Sequence, residues 1–390
     1  MDLHAVLRHA VERGASDVHL KVGQPPVVRL NGELEQLAEH PVLGESDLAS
    51  VLEEVTVIAP RRRQLFEETG ELDIAYAERG LPRFRVNGFR QRGAVSFALR
   101  VIPDVIPGFE ELRLPPGVRR LAEEQRGLVL VTGATGSGKT TTLAAMLDHI
   151  NRTRRQHIVT IEDPIEIIHP DRGCIVNQRE VGLDTESFGQ ALRRVLRQDP
   201  DVILIGELRD AETAQVALQA AESGHLVFST LHTVDAAETI GRMVEFFPPE
   251  KQPQVVSILA GVLQGVISQR LLPRIGEGRI PAVEVMVTNA RIAELIRERR
   301  TEEIPAALDD GEFFEMQTFQ KALIDLVLVG LVDRDVASNA ASNKHDFDLA
   351  LAHAEKAAQA AAEPSTNTAS SAPTAAGEDD GLPTLRVAGG

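Results

Sequence analysis

An α/β chain of two unequal domains is the fold class this sequence predicts, with a mainly parallel sheet in the larger one. Three observations point there. From Val118 onward the short apolar runs Leu128–Thr132, Ile158–Ile161, Val202–Ile205, Leu226–Ser229 and Val283–Val287 recur. Helical segments such as Thr140–Asn151, Ser187–Arg197 and Ala211–Ser223 separate several of them. Unbroken apolar strands suit a sheet covered by helices on both faces. The second observation is Gly133, Ala134, Thr135, Gly136, Ser137, Gly138, Lys139 and Thr140, which stand between one such strand and one such helix, the setting a phosphate loop requires. The third is the crowding of Pro103, Pro107, Gly108, Pro115, Pro116 and Gly117 into one short span, the punctuation of a linker.

The elements follow in order. Met1–Arg13 carries Leu3, Val6, Leu7 and Ala10 on one helical stripe that Gly14 can end. Asp17–Val22 and Pro26–Leu30 read as strands, with Asn31-Gly32 a hairpin-type turn. Helical patterns lie at Gly44–Val57 and Arg61–Glu68, and two more strands, Arg83–Arg92 and Ala94–Ile102, join across Gly93. This gives a small α/β domain over residues 1–103, a hinge-like linker at 104–117 and a phosphate-loop domain over 118–335. Beyond Asp335 the apolar content decays. Phe347–Ala362 is an alanine-rich helix, and 336–390 as a whole reads as a low-complexity, largely disordered tail. Val255–Ser268 is too short for a bilayer and is interrupted by Ser257, Gln264 and Ser268, so it reads as a core helix.

Composition excludes several classes. The 390 residues include one cysteine, Cys174, which removes a disulfide framework or a multi-cysteine zinc ribbon. A net charge of -17 opposes binding to nucleic acid or anionic lipid. Met1–Ala10 lacks the basic-then-apolar order of a signal peptide. A cytoplasmic, soluble chain is expected, touching a membrane only through a partner.

The chemistry concentrates at one sheet edge. The loop glycines let backbone N–H groups face phosphates at a helix N-terminus. Lys139 then reaches the β- and γ-phosphates and Thr140 places its hydroxyl on Mg²⁺, with Thr141 just behind. In Asp199–Asp210 a four-residue apolar strand is followed by Gly206 and then Glu207; an acid at that strand tip can orient and polarise water. Glu162, after the strand Ile158–Ile161, brings a second carboxylate that can hold Mg²⁺ or its waters. His225 and His232 flank Leu226–Ser229 and are candidates for a γ-phosphate sensor.

Several separated motifs together resemble the type II/IV secretion ATPases, over roughly residues 1–335. They are the phosphate loop, Ile161–Glu166 (IEDPIE), Asp199–Glu207 (DPDVILIGE) and Gly224–His232 (GHLVFSTLH), which are similar to that family's Walker A, Asp-box, Walker B and His-box. Gly14–Leu20 (GASDVHL), Arg83–Asn87 (RFRVN), Val176–Val181 (VNQREV) and Glu315–Phe319 (EMQTF) point to its pilus-retraction branch. The resemblance implies a PAS-like N-terminal domain, a RecA-like ATPase domain and a homohexameric ring using ATP and Mg²⁺. It implies nucleotide between the two domains, with Arg85 and Arg100 approaching the phosphates and Arg83 and Arg92 behind them. Its further implications are an inner-membrane pilus platform protein as partner, a second retraction ATPase alongside, a site at the cytoplasmic face of the inner membrane, and twitching motility as output. In Arg291–Glu298 (RIAELIRE), Ala293 stands where the family motif has an arginine.

Rival readings make different demands. A pilus-assembly or type II secretion ATPase usually carries a longer N-terminal region and a four-cysteine zinc motif. A RecA-like nucleic-acid translocase calls for a basic stripe with interleaved aromatics. A non-hydrolysing nucleotide-gated module would not need Glu162 and Glu207 beside Lys139 and Thr140.

Overall fold

The computed structural model describes residues 1–30, 32–102 and 105–362. Asn31 of the expected turn, the domain boundary at 103/104 and the segment 363–390 lie outside the described residues.

The first helix, α1 (Leu3–Glu12), begins where the Asp2 carboxylate accepts from the Ala5 backbone N–H, and it buries Leu3, Val6, Leu7 and Ala10. Strands β1 (Asp17–Lys21), β2 (Val27–Leu30) and β3 (Glu33–Gln36) follow, then helices α2 (Glu45–Val55) and α3 (Pro60–Thr69). Strands β4 (Glu71–Tyr76), β5 (Arg83–Gln91) and β6 (Ala94–Ile102) complete a six-stranded antiparallel sheet in the order β3-β2-β1-β6-β5-β4. Two of its strands were not legible. All four residues of β3 are exposed at the sheet edge, so it shows no apolar alternation, and β4 is short and follows α3 directly across Gly70.

The segment expected to be a linker is docked in its second half. Phe109 is buried in the core of the larger domain, with the Arg119 guanidinium 5.3 Å from its ring centre.

The second domain opens with α4 (Pro116–Ala122), β7 (Gly127–Thr132), α5 (Lys139–Thr153), β8 (His157–Glu162), β9 (Ile175–Glu180), α6 (Phe188–Val195), β10 (Val202–Ile205), α7 (Ala211–Glu222) and β11 (Leu226–Leu231). Helices α8 (Ala236–Glu245) and α9 (Gln252–Val262) lead into β12 (Leu263–Pro273) and β13 (Arg279–Val287). The sheet order is β13-β12-β7-β11-β10-β8-β9, parallel throughout except for the β12–β13 hairpin. Strands β7, β10 and β11 are buried at every position, as a helix-covered sheet demands.

Two expectations are corrected here. The run 255–268 is not one helix: α9 stops at Val262 and the chain passes without a loop into β12. An apolar stretch of this length does not by its periodicity distinguish buried helix from buried strand. The disorder expected from 336 onward does not hold over 336–362. After α10 (Ala290–Arg297), α11 (Ile304–Asp309) and α12 (Phe319–Leu328), helices α13 (Arg334–Ala340) and α14 (Lys344–Ala362) pack back, burying Ala337, Phe347 and Leu351 against Phe319 and Leu323. No helix among the described residues is long and apolar enough to cross a membrane.

Candidate functional site: a phosphate-loop cleft between the domains

Strand β7 delivers the chain to Gly133 at a φ of 138°. A Cβ there would stand 2.4 Å from the Gln269 carbonyl oxygen and 2.6 Å from Ser137 Oγ, so glycine alone fits. Gly136 and Gly138 also have positive φ, and a Cβ at either would meet open space. The turn is therefore tight against β12 on one side and clear on the other. The Lys139 ammonium folds back to donate to the carbonyls of Gly133 (2.7 Å) and Ala134 (3.1 Å). Burial lowers its pKa, while Glu207 and Glu166 pull it back up. The Ser137 hydroxyl is buried with no hydrogen-bond partner. A cation satisfied only by its own loop's carbonyls, an orphan hydroxyl and an open glycine-rich turn all fit a phosphate group. Behind the loop, Gln269 Nε2 donates to Thr142 Oγ1 at 2.9 Å and braces α5 on β12.

The loop lines a cleft of about 640 Å³ together with Glu162, Glu207, His232, Arg85 and Arg100. Thr140 and Thr141 open into it. Gly206 supplies the bend that sets Glu207 beyond the strand tip; a Cβ on it would meet the Ile161 carbonyl oxygen at 3.3 Å. Both Glu207 oxygens are engaged: His232 Nε2 lies 3.0 Å from one, and Arg209 Nε donates to the other at 2.7 Å. Glu162 is different. It is 9% exposed, has no cation partner among the described residues, and takes Thr160 Oγ1 (2.6 Å) and Gln178 Nε2 (3.1 Å) on the same oxygen, Oε1. Burial pushes its carboxyl pKa up against those two hydrogen bonds and a further one from the Glu166 backbone. Hard oxygen donors, the Thr140 hydroxyl and two carboxylates, thus face one cleft beside the loop, a donor set that suits Mg²⁺.

Both expected arginines reach the cleft already paired with acids. Arg85, on β5, bonds Asp73 at 2.8 Å and Glu166 at 3.0 Å, and the Asp73 hydrogen bond raises its pKa. Arg100, on β6, bonds Asp17 at 2.9 Å and is 73% exposed. Arg83 turns away to the buried Glu180, at 2.8 Å. His225 is a correction: it precedes β11 at the sheet edge opposite the cleft, bonded to Ser223 and Ala220, whereas His232 follows the same strand at the cleft edge. Six strand residues lie between them, about 20 Å of extended chain. Sequence reasoning also missed cleft residues. Arg209 and Arg279 were signalled only by Glu207 and by the Gly278 turn beside them; Glu166, the last residue of the Asp-box segment, and His169, three residues beyond it, went unweighed. Burial depresses the His169 imidazole to a pKa of about 4, so it is neutral at physiological pH.

A parallel sheet with a phosphate loop at the carboxyl edge of its strands, facing carboxylates on the neighbouring strand tips, defines a P-loop nucleoside-triphosphatase. Residues 1–279 match the model of the type II/IV secretion system protein family. The type IV pilus retraction ATPase PilT of Pseudomonas aeruginosa is 45% identical over 347 residues, covering 89% of this chain and 100% of that one. The type IV pilus ATPase PilU of the same organism is 41% identical, covering 90% and 91%. A crystal structure of the pilus retraction motor PilT with bound ADP superposes with a TM-score of 0.82 at 45% identity, covering 89% of this chain and 98% of that one. The chain belongs to the type II/IV secretion system protein family and is an ATPase of its PilT-like branch.

Proposed function

We propose that this chain is the protomer of a homohexameric, Mg²⁺-dependent motor that hydrolyses ATP to power type IV pilus retraction. One observation carries the reading: likeness to the retraction ATPase runs the whole length of that relative and extends to an ADP-bound structure of a pilus retraction motor. The motor would work at the cytoplasmic face of the inner membrane. There it would engage the pilus platform protein and a second retraction ATPase.

The loop amides and Lys139 hold the phosphates, and Thr140, with Glu207 behind it, would hold Mg²⁺. When bound, that ion would neutralise charge on the β- and γ-phosphate oxygens. Between the two carboxylates we assign the water to Glu162, reversing the sequence expectation. Glu207 is already committed to His232 and Arg209, whereas Glu162 lacks a cation and is poised by burial to take a proton. Water attacks the γ-phosphorus and its proton passes to Glu162. The bond to the bridging oxygen breaks, and ADP and phosphate leave. Arg85 and Arg100 would exchange acid partners for phosphate oxygens as the N-terminal domain closes; arginine keeps its charge and offers a forked donor set throughout.

The test is a count of surface pili in cells lacking the gene, complemented with wild type or with Glu162→Gln. Abundant pili without twitching in the deletion, uncorrected by Glu162→Gln, is the expected result. Bald cells would make the motor an assembly ATPase with the same chemistry. The single cysteine, too few for a four-cysteine zinc motif, weighs against that outcome.

A further inference from the structure

The Val176–Val181 segment (VNQREV) is used nowhere in this chemistry, although it lies beside it. Strand β9 runs parallel to β8 at the outer edge of the sheet, with Thr160 opposite Gln178 and Glu162 opposite Glu180. Residues two apart on a strand share a face, so Thr160, Glu162 and Gln178 lie together on one side of the pair. Gln178 uses both ends of its amide. Its Nε2 donates to Glu162 Oε1 at 3.1 Å and to the Ile167 carbonyl at 2.8 Å, and its Oε1 accepts from the His169 backbone N–H at 2.8 Å. Thr160 Oγ1 adds a 2.6 Å bond to the same Glu162 oxygen.

We infer that Gln178 and Thr160 are positioning residues for ATP hydrolysis: together they clamp Oε1 of Glu162 and so set the direction in which the carboxylate meets the attacking water. The inference rests on the proposed role of Glu162. Both donors are neutral, and this matters. An arginine or lysine in their place would hold the carboxylate equally well but would weaken it as a proton acceptor. Two neutral bonds fix the direction of the carboxylate at less expense of its basicity. Gln178 also ties the clamp to the loop that follows. Ile167 and His169 line the same cleft, so one side chain sets the catalytic carboxylate and the cleft wall in a single register. A carboxylate displaced by one ångström loses rate steeply without losing affinity, because the phosphates are held elsewhere.

The experiment compares full-length wild type, Gln178→Leu, Thr160→Val, Thr160→Ser and Glu162→Gln. It measures steady-state ATP turnover, affinity for a fluorescent ATP analogue and melting temperature. Gln178→Leu and Thr160→Val should each lower kcat by about 10- to 100-fold, with KM and analogue affinity within about twofold of wild type. Thr160→Ser, which keeps the hydroxyl, should recover most of the rate. In a Glu162→Gln background, followed by single turnover, adding Gln178→Leu should cost nothing more. A rise in KM with kcat intact, a loss that persists undiminished in the Glu162→Gln background, or equal rates for Thr160→Val and Thr160→Ser would overturn the clamp. Should Gln178→Leu melt early, the Thr160 pair decides alone. If Glu162→Gln itself turns over at the wild-type rate, the assignment of the water to Glu162 fails. If only that variant is slow, the assignment stands and the clamp fails.

Discussion

Lys139 and Glu162 are both desolvated and neither has an ion-pair partner among the described residues, yet their substitution should have opposite signatures. Lys139→Ala removes the one cation that the loop aims at phosphate. ATP affinity should fall by at least about tenfold, read by equilibrium binding of a fluorescent analogue. Glu162→Gln keeps size and hydrogen bonding but removes the proton acceptor, so binding should survive while kcat falls by about 10²- to 10⁴-fold. Equal loss of binding in both variants would refute this division. Of these residues, the sequence announced the ones that sit in a motif with fixed spacing. Lys139 and Thr140 were legible from the spacing of the phosphate loop, and Glu162, Glu207 and His232 from their place just after buried apolar strands. His225 misled, because a residue before a strand and a residue after it look alike in the sequence although they stand at opposite sheet edges. Gln178 was invisible: its partners are across a strand pair whose register no local pattern reveals.

Helix α8 illustrates coupling at the scale of elements. Its first backbone N–H, at Ala236, donates to Glu284 on β13 at 2.9 Å. Burial pushes that carboxyl up to about 7, with Asp235 adding to the rise and Arg270 opposing it. The sign of the consequence is fixed. The unfolded Glu284 ionises near the ordinary glutamate value of 4.5 while the folded one stays protonated up to about 7, so this group costs stability progressively as pH rises from about 4.5 to about 7, and the cost is constant above. Glu284→Gln keeps an oxygen acceptor for Ala236. It should raise the melting temperature at pH 8 by more than at pH 5, through at most about 3 kcal/mol. A steric limit governs the hairpin. A Cβ on Gly265 would lie 2.4 Å from the Met286 carbonyl oxygen, so Gly265→Ala should lose about 1–3 kcal/mol in chemical denaturation. The central strands were legible because burial on both faces writes them as continuous apolar runs. The edge strands β3 and β9 were not, because solvent on one side dilutes the signal, and β12 was taken for helix for want of any break after Val262. Low apolar content likewise concealed α13 and the docking of α14, which was legible only as the alanine-rich helix Phe347–Ala362; there Phe347 and Leu351 still anchor a small third core. Phe347→Ala should destabilise that core by about 3–5 kcal/mol, seen as an early transition on heating.

At the scale of the whole molecule, two sheets face one cleft and four arginines of the first domain reach across to acids of the second. Arg61 bonds Glu186 at 2.9 Å, Arg62 bonds Asp163 at 3.2 Å, Arg83 bonds Glu180 at 2.8 Å and Arg85 bonds Glu166 at 3.0 Å. Glu180 is only 2% exposed, so Arg83→Ala would strand a buried charge and should cost about 3–5 kcal/mol, measurable as a fall in melting temperature, unless the carboxyl takes up a proton. The two-domain division was legible in the Pro/Gly crowding, but the handedness of this contact, all donors on one side and all acceptors on the other, was not. Its consequence concerns water. A joint sealed by oily surface resists parting because every opening wets what had been dry, and it snaps shut without discrimination. Here the halves part into ions that hydrate readily, so three of the four bonds exchange for solvent at little net expense. Only the fourth, seated on Glu180, must find its mate again for closure to be complete. Such a joint is free to cycle yet returns to one alignment, as a keyed shaft does after each turn.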